Sequence, residues 1–169
     1  MSDKSGNPVD GSVRLQLEGD ELSFAVSPVS SSCEYKRVPV GSIAAARRLI
    51  RHEPLNAAEL EAAIAEVEDL IMPVLRVLPS AEALEVSGQD LCVVIAAASP
   101  AARGQPVSIE AIENLFNRLA DVAMGSPPGR LGAPYTSALA LSLVVLREVM
   151  HHGGLRFAFA AAERDGDGG

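Results

Sequence analysis

The chain contains no tryptophan, and its 169 residues include only four phenylalanines and two tyrosines. A core of aromatic stacking is therefore excluded, and aliphatic packing must replace it: apolar residues make up 48%, largely Ala, Leu and Val. Cysteine is scarce as well. Cys33 and Cys92 each sit in an apolar or strand-like run and lack the C-x-x-C spacing of metal or redox motifs, so both are read as reduced core residues rather than a bridge. Positive charge is in deficit, with 14 Lys and Arg against 22 Asp and Glu and a formal charge of −8. The basic residues are scattered, so the electrostatic footprint of a DNA or RNA binder is missing, and no nucleic-acid partner is expected. No apolar run is long. The strongest, SALALSLVVL at 137–146, is half a bilayer span and runs into Arg147 and Glu148, while the polar MSDKSGNPVDG lacks the h-region of a secretory signal. A cytoplasmic chain with no membrane partner is the expectation.

What is present reads as one domain of ordinary size, able to bury a sizeable core. Residues 1–11 and 163–169 are polar, Gly-rich and aperiodic, which predicts flexible ends around a single α/β domain at 12–162. In SVRLQLEGDELSFAV, Val13, Leu15 and Leu17 alternate with polar residues, and Leu22, Phe24 and Val26 alternate with Ser23, Ala25 and Ser27. This predicts a hairpin whose strands each have one buried face, turning at Glu18, Gly19 and Asp20. CEYKRVPV at 33–40 predicts a third strand, with Pro39 marking its edge or end.

Helix signals follow. Ser42 opens IAAARRLI, which Pro54 stops. Asn56 and Glu59 form a capping box ahead of an apolar face from Leu60 to Leu78, with Pro73 bending the helix or ending its regular part. In EALEVSGQDLCVVIAAA, Leu84 and Val86 read as a strand broken at Gly88, whereas residues 91–98 fit either a strand or a buried helix. Ser108 caps IEAIENLFNRLADVAM, with Val107 and Ile112 placed as a hydrophobic staple, and GSPPG stops it. A last helix runs from about Thr136 to His152, ends at Gly153 and Gly154, and precedes a strand in LRFAFAA. The order implies a layered α/β or α+β domain, its helices on one face of a sheet or on both.

Constellations able to carry chemistry are few. His151 and His152 point about 100° apart on a helix and cannot share one ion, so only Glu148 and one histidine could cooperate. The favoured reading is two imidazoles interacting with the negative end of the helix dipole. Ser30, Ser31, Ser32 and Cys33 form a run with no nucleophile elbow around any serine, and they read as a solvated loop. Glu66, Glu68 and Asp69 read as the wet side of their helix. GSPPGRLGAP, with the single cation Arg130, lacks the Lys and Ser or Thr of a P-loop and reads as a rigid connection. Arg47 and Arg48 are neighbours rather than a matched clamp and read as a solvated edge.

In rhythm and spacing, the hairpin followed by LNAAELEAAIAEVEDLIMPVL, EALEVSGQDLCVVIAA, VSIEAIENLFNRLADV and GRLGAPYTSALALSLVVLREVMHHGGLRFAFAAAERDG resembles the C-terminal lobe of the exopolyphosphatase and guanosine-pentaphosphate phosphohydrolase family. The resemblance spans residues 13 to about 166. It implies the actin-like, ribonuclease-H-like fold: an N-terminal hairpin or meander and a mixed sheet with about four to five packed helices. It also implies that Glu18, Gly19, Asp20 and Gly88 are the remnant of a phosphate loop, because the family has Asp-Ile-Gly-Gly-Gly-Ser-Thr-Glu at the hairpin and a second glycine pair later. Here the hairpin offers Leu15, Gln16, Leu17, Glu18, Gly19, Asp20 and Glu21, and the second place offers Ser87, Gly88 and Gln89.

A phosphate cradle needs successive backbone N–H groups turned onto the anion, which demands glycines. Three carboxylates crowd this turn instead. A phosphate charge about 5 Å from one of them would be repelled by roughly 3 kcal/mol at an effective dielectric near 20, and no cation is obvious in sequence to offset it. The family's cleft lies between two lobes, and this chain has room for one. The expectation is a non-catalytic α/β protein, a degenerate relative without catalytic residue, resident metal or cofactor, acting through a protein partner or as a homodimer. Two alternatives stand beside it: phosphoanhydride hydrolysis with Mg²⁺ on Glu18, Asp20 and Asp90, completed by a partner lobe, and a small acidic chaperone.

Overall fold

The computed structural model describes residues 12–27, 35–101 and 104–161. The expected flexible ends, the serine run and Cys33 lie outside the described residues. β1 (Ser12–Glu18) and β2 (Glu21–Ser27) form the hairpin, with Leu15 opposite Phe24 and Glu18 opposite Glu21. β3 (Lys36–Ser42) adds antiparallel to β2, later than expected by its register, and a bulge at Leu22/Ser23 accommodates it. Pro39 is tolerated because β3 is an edge. β4 (Ala83–Ser87) runs parallel to β1 on the other side, and β6 (Phe157–Ala160) runs parallel to β4. The two-residue β5 (Val107–Ser108) closes the order β3-β2-β1-β4-β6-β5.

One face of this sheet, carrying Val13, Leu15, Leu17, Leu22, Phe24, Leu84, Val86 and Ala158, is buried. The helices form a layer against it. The opposite face carries Arg14, Gln16, Glu85, Ser87, Phe157 and Phe159, all half-buried. Arg14 Nε donates to its neighbour Glu85 across β1 and β4 at 2.7 Å and its guanidinium stacks on Tyr35. The expected single buried face fails in β2: Ser23 and Ala25 are buried too, while Val26 is only half-buried. Both small side chains lie in register between longer ones, Gln16 and Pro39 beside Ser23, Arg14 and Arg37 beside Ala25.

α1 (Ala44–Leu49) begins after Ile43; Ser42 ends β3 and accepts the Ala44 N–H on its hydroxyl, rather than occupying the cap position. α2 (Ala57–Leu75) starts at the expected capping box, where Asn56 Oδ1 accepts the Glu59 N–H at 3.0 Å. The helix ends two residues after Pro73. Residues 91–98 are helical: α3 (Gln89–Ala98) follows Gly88 directly. α4 (Ile109–Ala123) is capped by Ser108, and Val107 and Ile112 are both buried at its start. A 3-10 turn at Pro128–Leu131 leads to α5 (Ser137–Gly153), capped by Thr136 and closed by left-handed Gly154.

α5 lies at the centre of the helix layer, which is why Leu139 through Leu146 are all buried irrespective of helical phase. Each such leucine contributes about 1.5–3 kcal/mol relative to exposure. No described helix is long and apolar enough to cross a membrane.

Candidate functional site

The hairpin turn, the start of α1 and the start of α3 meet at one end of the sheet. Gly19 takes φ +60°, as a tight two-residue turn requires, with open space around its Cα. Gly88 is under a stricter demand. Its φ is +119°, and a Cβ there would lie 2.3 Å from the Leu17 carbonyl oxygen, so glycine is what lets the β4–α3 turn press against the end of β1. Leu17, Gly19, Asp20, Arg47, Gln89 and Asp90 then line an open cleft of about 530 Å³.

Asp20 is held on two sides within this cleft. Its carbonyl accepts the Ile43 N–H at 2.8 Å, and its Oδ1 accepts from Arg47 Nε at 2.6 Å. Arg47 is thus no solvated edge; it is half-buried in the cleft and neutralises one of the carboxylates, whereas its neighbour Arg48 is exposed as expected. Asp90 occupies the first turn of α3, where it meets the positive end of the helix dipole. The sequence-derived residues Gly19, Asp20 and Gly88 are brought together, with Glu18 and Glu21 flanking the turn. Among the described residues the site has one arginine, already engaged, and only single glycines where an anion cradle needs runs of N–H groups.

Two further groupings arise from helix packing. At the C-terminal turn of α5, His152 Nε2 lies 3.0 Å from Glu68 Oε1 on α2 and 3.3 Å from Glu148 Oε2 one turn earlier. Glu68 is half-buried, less wet than the exposed Glu66 and Asp69, and its carboxylate faces α5. Glu148 is fully buried, and its other oxygen accepts from Arg147, which also donates to Glu113 at 3.2 Å. Of the two histidines, His152 is the one that meets Glu148, while His151 turns toward Glu113. Glu68, Glu148 and His152 are the grouping with metal-ligand spacing among the described residues. Its sequence signal was Glu148 itself, a carboxylate on the apolar stripe of Leu141, Val144 and Val145.

At the start of α2, the Glu59 carboxylate accepts from the His52 ring at 2.6 Å and from the backbone N–H groups of Arg51, His52 and Asn56. These donors, the His52 ring first, lower its pKa from 4.5 to about 2. On the far side of α3, Cys92, Ile95, Ala96, Pro106, Val107 and Phe159 line an apolar groove of about 440 Å³, so Cys92 is half-buried at a groove wall rather than in the core.

No family model and no curated protein matches the chain in sequence. Solved structures do match its fold. A Ppx/GppA family member from Aquifex aeolicus aligns over 93% of this chain and 54% of its own, with TM-score 0.66 at 11% identity. An exopolyphosphatase from Cytophaga hutchinsonii aligns over 91% and 54%, with TM-score 0.62 at 10% identity. An exopolyphosphatase-like protein aligns over 95% and 58%, with TM-score 0.63 at 14% identity. The chain spans about half the length of these neighbours and shares their actin-like, ribonuclease-H-like fold, as the rhythm of its elements implied. Identity this low carries the fold alone.

Proposed function

We propose that this chain is a non-catalytic lobe of the exopolyphosphatase-like fold that works in the cytoplasm through protein contacts, as a homodimer or with a dedicated partner. The observation that carries this reading is the outer side of α3, the helix that borders the cleft. Val93 is 43% exposed there beside exposed Ala96, and the whole helix, QDLCVVIAAA, holds a single charged residue, Asp90, at its first turn. A solvated helix face is normally laced with charge, as Glu61, Glu66 and Asp69 lace α2; an uncharged one next to a cleft suits a covering protein surface. The acidic, glycine-poor hairpin and the engaged Arg47 support the absence of phosphate chemistry.

Sedimentation equilibrium of the full chain and of Val93→Glu tests this, with capture of the partner from native extract on both proteins. The expected result is an assembly, homomeric or heteromeric, that the wild type forms and Val93→Glu loses while its circular dichroism is unchanged. A wild type that stays monomeric at high concentration and captures nothing specific contradicts it.

One observation favours a second reading. Asp20 of the hairpin turn and Asp90 of the first turn of α3 line the same cleft, where a partner lobe and Mg²⁺ would complete a site for phosphoanhydride hydrolysis. Magnesium-dependent release of phosphate from polyphosphate or nucleotide by the assembled complex supports that alternative, and its absence dismisses it. A third, client-escorting role is served by the same surface and separates from the first by the identity of what co-purifies.

A further inference from the structure

We infer that Glu68, Glu148 and His152 form a binding site for a divalent transition-metal ion of the zinc type, which clamps α2 to α5 at the end of the sheet opposite the hairpin. His152 lines a small cavity with Val13, at the start of β1, and with Leu78 to Ser80 before β4, which fixes the site at that far end. It is therefore separate from the cleft at Gly19 and Asp20, and does not depend on what that cleft binds.

The ligand atoms have the right identity and spacing. His152 Nε2 is 3.0 Å from Glu68 Oε1 and 3.3 Å from Glu148 Oε2, and all three atoms lie within 4.8 Å of one another. Metal–ligand bonds of about 2.0–2.1 Å in a tetrahedron put ligand atoms roughly 3.3 Å apart, so one ion fits between them with little movement. One imidazole and two carboxylates leave a fourth position for water. Glu68 and His152 are 40% and 27% exposed at their side chains, which gives the ion a path from solvent.

An independent observation points to a missing partner. Glu148 is 0% exposed, and among the described residues its Oε2 is buried with no hydrogen-bond partner, although it faces the His152 ring. A buried carboxylate oxygen without a donor is costly. Nε2 carries at most one hydrogen, so an imidazole that donates to Glu68 at 3.0 Å leaves Glu148 Oε2, at 3.3 Å, without a donor. A metal ion serves both at once. Arg147, bound to the other Glu148 oxygen and to Glu113, holds the Glu148 carboxylate in place without touching the ion. Charge balance agrees: Glu68, Glu148 and Glu113 against Arg147 leave two negative charges, which one divalent cation neutralises.

Hard Mg²⁺ prefers an all-oxygen, largely hydrated shell, so the imidazole selects against it. The test is calorimetric titration of chelator-stripped full-length protein with ZnCl₂, and separately MgCl₂, alongside Glu68→Gln, His152→Asn and His151→Gln. Thermal unfolding with and without Zn²⁺ supplies a second readout. Expected are one saturable Zn²⁺ site, no response to Mg²⁺, and a Zn²⁺-dependent rise in melting temperature. Both Glu68→Gln and His152→Asn should weaken binding by at least ~10-fold, the scale on which even outer-shell changes act. His151→Gln should bind like the wild type. The assignment is overturned if no saturable site exists, or if either ligand variant retains wild-type affinity. Neither outcome bears on whether the chain acts through protein contacts.

Discussion

Arg47 Nε lies 2.6 Å from Asp20 Oδ1, so the one cation that lines the hairpin cleft among the described residues is engaged by the carboxylate beside the turn glycine. An anion approaching Gly19 meets this closed pair, flanked by Glu18, Glu21 and Asp90, rather than an open guanidinium. Exchanging the carboxylate should reverse that. Asp20→Asn is expected to release Arg47 and to create weak phosphate or sulfate binding that the wild type lacks, measured by chemical-shift titration of the Gly19 amide. Both side chains are 38% exposed, so the change in stability should stay below about 1 kcal/mol.

The two glycines of the cleft should differ sharply in tolerance. Gly19→Ala places a methyl in open space and carries only the left-handed backbone cost, about 1 kcal/mol. Gly88→Ala drives a methyl into the Leu17 carbonyl and must displace the β4–α3 turn, so a loss of more than ~2 kcal/mol in urea unfolding is expected.

Acid sensitivity should trace in part to Glu59. Its folded-state pKa of about 2 lies below the ordinary 4.5, so the charged form is favoured by folding. That contribution is complete above pH 4.5 and is lost as pH falls through the window toward 2. Glu59→Gln should lower stability at neutral pH and flatten the pH dependence of the urea midpoint within this window. Asn56→Ala, which removes the other half of the capping box, should cost about 1 kcal/mol at every pH.

Local signals made most of the fold legible. The alternation in β1, Pro39 on an edge strand, the Asn56–Glu59 box and the cap at Ser108 act within a few residues, and each appears where the sequence places it, whereas the alternation expected of β2 gives way to burial of Ser23 and Ala25. QDLCVVIAAA was ambiguous because a short apolar run fits a buried strand or a helix, and what decides it is Gly88 turning the chain away from β4. β5, two residues long, has no periodicity to read. The site was legible as glycines and acids around a turn, but Arg47 to Asp20 spans 27 positions and His152 to Glu68 spans 84, so both pairings exist only through the packing of α1 on the hairpin and of α2 on α5.

Phosphate recognition is the property on which the account turns, and calorimetric titration of the wild-type chain with magnesium tripolyphosphate measures it directly. The expected result is no saturable heat and no release of orthophosphate on prolonged incubation. Saturable micromolar binding that Asp20→Asn or Asp90→Asn alters would contradict the account and restore a phosphate-handling role to the hairpin cleft.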